Sequence, residues 1–356
     1  LLSGKNFEMK LKFYIVIALL ASLLVCGLSA QAQKAKDKGK GQGAGRGEGA
    51  GQGKGQGEGS DSEKGIEAAI STTPNVNVIL MSTTGKLTVR GWDRNEVHAQ
   101  TTEPDSKIKL RKTGGTDAAN PTMRLDIVVV PNNAEDPEEE EAETCSEDAD
   151  VTIDVPRGAT IYLKTENGDV DVDGVAEAHI ETSDGRIEAR RISKSIEVSS
   201  VGGDIALEDA SGRARLSSIN GVIEARDLRL LDGSDFLKIK TVSGDILLDR
   251  IGAPHVEAQT ISGELRLTGP LARGGSYNFT TTNGDVTLLL PTESSFKLNA
   301  KISENGEIIT QFPLTYKSQP SSTSVLQGGR LVGTYGSGDA NITLVSFSGT
   351  LQLRKQ

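Results

Sequence analysis

One repeated frame constrains this chain more than any other feature. With a central glycine as position zero, apolar side chains recur at −7 and −5, Ser or Thr at −3, and apolar side chains again at +2 and +4. Around Gly168 these are Ile161, Leu163, Thr165, Val170 and Val172, and around Gly203 they are Ile196, Val198, Ser200, Ile205 and Leu207. Gly244 is framed by Leu237, Ile239, Thr241, Ile246 and Leu248, and Gly284 by Tyr277, Phe279, Thr281, Val286 and Leu288. The frame also fits Gly185, Gly221, Gly263 and Gly349, with an early copy at Gly85, whereas Gly306 keeps only the downstream half through Ile308 and Thr310. From Gly168 to Gly306 successive glycines lie 17, 18, 18, 23, 19, 21 and 22 residues apart.

Positions −7, −5 and −3 share one face of a strand, and so do +2 and +4. The step between the two sets is odd, so a bend must re-aim the second strand if both face one core. Glycine, preceded by Asn, Asp or Ser in most copies, is expected to supply the positive φ of that bend. A unit of ~20 residues cannot bury its apolar face alone, but stacked units bury a continuous core. The four or so apolar side chains per copy are worth roughly 1.5–3 kcal/mol each when fully buried, before the entropy of ordering. The expected architecture is all-β: a parallel β-helix or β-solenoid of 17–23-residue coils. A propeller, with blades of ~40 residues, and a hairpin-built sandwich are the alternatives.

The chain ahead of the repeats reads as an address and a tether. Counting from a start at Met9, Lys10 and Lys12 precede an apolar run, Phe13–Val25, and Ala30-Gln31-Ala32 forms a cleavage site, so residues 1–32 read as a signal peptide. A lipid anchor at Cys26 and an uncleaved signal anchor are the competing readings. Residues 33–64, with Gly at every odd position from Gly39 to Gly59, read as a Gly-rich flexible linker. Residues 65–160 form an N-terminal β region with an acidic loop at 135–150, and residues 161–356 carry the repeats. Beyond residue 32 the chain holds 36 basic and 48 acidic side chains. That balance argues against nucleic acid, which needs clustered Lys and Arg. Loss of the signal leaves Cys145 as the one cysteine, which excludes an intramolecular disulfide and a cysteine zinc site.

Three strings resemble a known family. Gly85-Lys-Leu-Thr-Val-Arg-Gly-Trp92-Asp-Arg-Asn-Glu-Val97 is similar to the opening of the bacterial putative-adhesin β-strand-repeat domain, a family of unknown function. Thr241-Val-Ser-Gly-Asp-Ile246 and Thr281-Thr-Asn-Gly-Asp-Val286 resemble its recurring element, and Val151-Thr-Ile-Asp-Val-Pro156 the strand leading into its repeats. The resemblance covers residues 70–356 and implies an exported β-helical protein. It defines no catalytic or binding residues.

Chemistry-bearing residues are sparse. Asp169, Asp204, Asp245 and Asp285 follow the central glycine, with Asp339 in a similar Ser-Gly-Asp. A carboxylate column can bind calcium, but calcium rolls use a nine-residue repeat. Other copies here carry Arg186, Val222, Glu264 or Thr350, so solvated, turn-stabilising aspartates are expected. The acids from Glu135 to Asp150 read as a self-repelling loop. His98, His179 and His255 are scattered, Trp92 is the only Trp and reads as packing, and Cys145 among acids reads as unreactive. The Ser and Thr at −3 read as a hydrogen-bonding ladder. No catalytic, cofactor-binding or metal residue is assigned, and no cofactor is called for.

The expected function is that of a non-catalytic, exported cell-envelope module, periplasmic, cell-surface or extracellular, acting as an adhesin-like binder or scaffold. Its expected partners are an envelope polymer or protein or another copy of itself, without nucleic acid and without a transmembrane segment in the mature chain. A carbohydrate-active β-helix enzyme and a self-assembling structural protein are the alternatives.

Overall fold

The computed structural model describes residues 66–113, 123–132, 149–229, 235–315 and 325–356. The signal, the linker, Cys26, Cys145 and the acidic residues from Glu135 to Asp148 lie outside them. The first strands are β1 (Glu67–Ser71), β2 (Asn77–Thr84), β3 (Leu87–Trp92), β4 (Glu96–Thr101), β5 (Ser106–Thr113), β6 (Arg124–Pro131) and β7 (Val151–Pro156). The repeats then supply β8 (Thr160–Asn167), β9 (Val170–Asp173), β10 (Glu177–Asp184), β11 (Ile187–Arg190), β12 (Ser195–Ser200), β13 (Ile205–Glu208), β14 (Arg213–Ser217) and β15 (Ile223–Arg226). They continue with β16 (Leu237–Lys240), β17 (Ile246–Asp249), β18 (His255–Gln259), β19 (Leu265–Thr268), β20 (Ser276–Thr280) and β21 (Val286–Leu290). The last are β22 (Phe296–Thr310), β23 (Val325–Tyr335), β24 (Ala340–Val345) and β25 (Thr350–Lys355).

The expected parallel β-helix or β-solenoid of short successive coils is corrected. The strands form one continuous 25-stranded sheet folded around a single core. Its pairing breaks the chain-order progression at both ends. β2 lies between β6 and β8, and β3 between β7 and β9, so the Gly85 copy stacks directly on the Gly168 copy. β1, ahead of the Gly85 copy, and the strands between the two copies form antiparallel pairs, β1 with β4, β4 with β7 and β5 with β6. At the other end β24 and β25 insert between β20–β21 and β22, and β23 closes against β22 antiparallel. Gly306 lacks the upstream half of the frame because that half, Leu298, Ala300 and Ile302, lies one residue further upstream, and the pairing of β22 shifts register between Ile302 and Glu307.

The inward frame positions are buried as their alternation requires. Ile161, Val170, Ile187, Leu237, Ile246, Leu265, Val286 and Leu351 are fully enclosed. Near the C-terminal end the core turns aromatic. Tyr277, Phe279, Phe296 and Phe312 are buried, and Phe296 meets Phe312 edge-on with ring centroids 5.3 Å apart. The Tyr277 hydroxyl donates to the Ala253 carbonyl and accepts from the Ala272 amide. Burial pushes its pKa up, and the Ala272 bond opposes that only partly.

Candidate binding edge

The bends of all the copies line up along one edge. The reason for glycine there differs from the expected one. Gly85, Gly185, Gly263 and Gly349 do have positive φ (95°, 109°, 149° and 120°), but Gly168, Gly203, Gly244 and Gly284 lie outside the left-handed region. What every copy shares is close approach. A Cβ on Gly244 would overlap the carbonyl oxygen of Gly221 and sit 2.8 Å from its carbonyl carbon, and Gly221, Gly263 and Gly284 meet the preceding glycine in the same way. The glycines form a column in which each backbone rests on the last.

The aspartates are not merely solvated. Each accepts a hydrogen bond through Oδ1 from the backbone N–H just after the glycine of the next layer. Asp169 takes that of Arg186 (2.8 Å), Asp204 that of Val222 (2.8 Å), Asp245 that of Glu264 (2.7 Å) and Asp285 that of Thr350 (2.7 Å). Asp150, the last acid of the expected loop, does the same for Lys86 (2.7 Å). The copies without Asp are therefore the donors, and the layers are stitched in pairs. Asp339 stands apart, accepting from the Ser337 hydroxyl at 2.7 Å.

These bonds make two expectations concrete. Asp245→Ala is expected to cost about 1–2 kcal/mol in chemical denaturation, because it removes a hydrogen bond to a charged acceptor. A cost near zero would show that the stitch carries nothing. Calcium chelation is expected to leave the melting temperature unchanged, since one oxygen of each carboxylate is spent on a backbone N–H. A fall on EDTA treatment that calcium alone restores would contradict this.

Behind the glycine column runs the buried hydroxyl ladder expected from position −3: Ser82, Thr165, Thr182, Ser200, Ser218, Thr241, Thr260, Thr281 and Ser346. Thr182 Oγ1 donates to the Asp184 carbonyl at 2.7 Å, Thr260 to Gly244 at 3.3 Å, and Ser200 Oγ accepts the Gly203 N–H at 2.9 Å. Thr165, Thr241 and Thr281, all in layers that supply a stitching Asp, have hydroxyl oxygens without a hydrogen-bond partner.

Two further features do not show in the sequence frame, one at the far end of the downstream strands and one on this edge. One is a left-handed corner at +6, occupied by Gly174, Arg191, Asp209, Asp227, Arg250 and Gly269. There Arg250 grips Asp227 through two bonds of 2.6 and 2.7 Å, which holds the Asp227 carboxyl below its usual pKa and raises that of Arg250. The other is position −2, which points outward and is apolar at Val201, Ile219, Val242, Ile261 and Phe347. Seven large hydrophobic side chains are exposed among the described residues, and four of them lie on this edge: Val242, Ile261 and Phe347 at −2, and Val222 at +1 across the glycine column. Phe347 is the most open, at 66%. The signal was present in the sequence but masked, because an apolar residue beside a turn glycine reads as part of the core frame.

The remaining candidates do not converge. His98 bridges Glu67 (2.6 Å) and Asp154 (3.6 Å). Trp92 is half-buried on the outer surface rather than in the core, with His98 stacked beside it and the Arg94 guanidinium 4.9 Å from its ring centre, and its indole N–H donates to the Glu96 carbonyl. His179 stacks on Tyr162 at 4.7 Å. Lys86 pairs with Asp171 at 2.6 Å, and that bond raises its pKa. Among the described residues, no group of three or more His, Cys, Asp or Glu is placed to hold a metal ion, and no helix is long and apolar enough to cross a membrane.

Residues 67–354 match the model of the Toastrack DUF4097 family. The chain belongs to that family. The resemblance read from the Gly85–Val97 string and the Ser-Gly-Asp repeats is thereby borne out, and the Toastrack match takes in every layer of the glycine column. No curated protein matches the chain. Two solved structures are similar. One is described as a "putative cell adhesion protein" from Clostridium sporogenes ATCC 15579, 10% identical, covering 82% of this chain and 100% of that one with a TM-score of 0.25. The other is a "putative adhesin" from Parabacteroides distasonis ATCC 8503, 9% identical, covering 82% and 98% with a TM-score of 0.41. At these scores neither carries an argument about mechanism.

Proposed function

We propose that this Toastrack chain is a non-catalytic binding module, exported to the cell envelope by residues 1–32 and presented on the linker of residues 33–64. The observation that carries the reading is the concentration of four of the seven exposed large apolar side chains among the described residues along one stitched edge. Contiguous exposed apolar surface marks interaction sites, and a stitched edge holds its side chains in fixed register at a layer spacing of about 4.8 Å.

The enzyme reading has less support. A glycosidase needs two converging carboxylates, one with a raised pKa, near a sugar platform. Among the described residues the one carboxylate with a clear shift, Asp227, is shifted downward. Trp92 is flanked by His98 and Arg94, which leaves it poorly placed as a platform. End-to-end assembly is also disfavoured, because antiparallel strands cover both ends of the stack and the outermost β23 carries Gly328 and Gly329 at positive φ. Such irregularities blunt an edge strand.

The test is a binding screen of the purified chain against cell-wall glycans and envelope protein extracts, repeated with Ile261→Glu. The reading expects at least one ligand whose binding is lost in the variant. Turnover of any glycan, or binding indifferent to Ile261, would overturn it.

A further inference from the structure

The outward ridge carries lysines on one flank and carboxylates on the other. In spatial order the ridge positions are Val242, Ile261, Thr282, Phe347 and Ser303. The backbone N–H that follows each ridge residue bonds to the ridge carbonyl of the layer before: Ser262 to Val242 (2.9 Å), Asn283 to Ile261 (2.8 Å) and Ser348 to Thr282 (2.9 Å). Ser303 Oγ donates to the Phe347 carbonyl. On one flank, two residues upstream of the ridge, stand Lys240 at one end and Lys301 at the other, both exposed. On the other flank, just beyond the glycine column, stand Asp245, Glu264, Asp285, Thr350 and Glu307. One side of the ridge thus carries a lysine at each end with the uncharged Gln259, Thr280 and Val345 between them, and the other side is acidic in four of its five layers.

We propose that this ridge is the contact of a two-fold dimer of the chain, with the symmetry axis running along the ridge. A rotation about that axis lays two ridges parallel and in register. It also carries the basic flank of one copy over the acidic flank of the other. Lys240 then faces the layer of the partner copy that holds the residue equivalent to Asp245, and Lys301 the layer equivalent to Glu307. A two-fold axis across the ridge would instead set lysine against lysine and acid against acid, at a cost. Only the axis along the ridge satisfies both the apolar and the charged groups, and the contact is self-complementary as a two-fold interface must be.

The size of the ridge sets the strength. Four layer steps span ~19 Å, and five residues across the edge span ~16 Å at ~3.3 Å each. That footprint is roughly 300 Å² per copy, well below the ~800 Å² of a standard stable interface. The dimer is therefore concentration-dependent. The inference deepens the reading of the edge as a binding surface and rests on it, but it needs no other ligand.

Sedimentation velocity of the full chain, from about 10 μM to about 1 mM, tests it. A reversible monomer–dimer equilibrium is expected, weakened about tenfold by Phe347→Asp with the melting temperature unchanged. Lys301→Glu and Glu307→Lys are each expected to weaken it, and the double exchange to restore it. A monomer throughout that range overturns the proposal. So does a dimer indifferent to Phe347, or a charge exchange without rescue. Because the measurement uses the purified chain alone, its failure leaves the ligand screen with Ile261→Glu to stand or fall separately.

Discussion

Gly244→Val is expected to destabilise the domain by about 3 kcal/mol or more, at the upper end of what overpacking costs. The added Cβ has nowhere to go: it meets the backbone of Gly221, which cannot swing aside as a side chain would. Relief requires the Gly221 and Gly244 layers to separate, and with them the hydrogen bonds from Ser243 N–H to the Ile219 carbonyl (2.8 Å) and from Ile223 N–H to the Asp245 carbonyl (2.9 Å). Urea denaturation should show a lower midpoint at unchanged slope, the mark of lost stability rather than an altered denatured state. A loss under about 1 kcal/mol would mean that the column yields easily.

Phe279→Ala should cost about 3–5 kcal/mol, the range for truncating an enclosed aromatic. Phe279 is fully buried, and its strand is held between β18 and β24 in exact register, Ala258 on one side and Leu344 on the other. Small residues such as Ala258 leave space that Phe279 fills, and hydrogen bonds on both sides of β20 oppose collapse into the cavity. The check is the same denaturation series, with the outward neighbour Asn278→Ala as control, expected within about 0.5 kcal/mol of wild type. Similar losses for both would show that the inward and outward faces had been assigned wrongly.

Much of this was legible in the residues. The inward positions, the hydroxyl ladder and the glycine at each bend follow from period-2 alternation and the fixed frame, because a strand has only two faces. The spatial order of the copies did not follow. Nothing in the Gly85 frame says that it rests on Gly168 across the whole intervening hairpin region, or that the Gly349 copy inserts ahead of Gly306, since a local pattern carries no information on which layers are neighbours. The aspartates were misread for a related reason. Copies with Arg186, Val222, Glu264 or Thr350 in place of Asp looked like exceptions to a column, yet they supply the N–H donors of a two-layer unit. The bend glycine was assigned to positive φ, the ordinary reason for glycine in a turn, when the nearer constraint at Gly244 is the backbone stacked beneath it. The exposed ridge at −2 was hidden because Val242 and Ile261 are as apolar as the core they adjoin.

The claim that the edge is built on backbone contact between layers is tested most directly by Gly244→Ala beside Gly274→Ala. Gly274 has a positive φ of 73° and nothing near its missing Cβ, so Ala there meets conformational strain alone, about 1–2 kcal/mol. Gly244 has no such strain to lose, and Ala at an unstrained, open glycine is neutral or stabilising by up to about 1 kcal/mol. The account predicts that Gly244→Ala is the more damaging of the two in equilibrium urea denaturation. A Gly244→Ala variant as stable as wild type would contradict it.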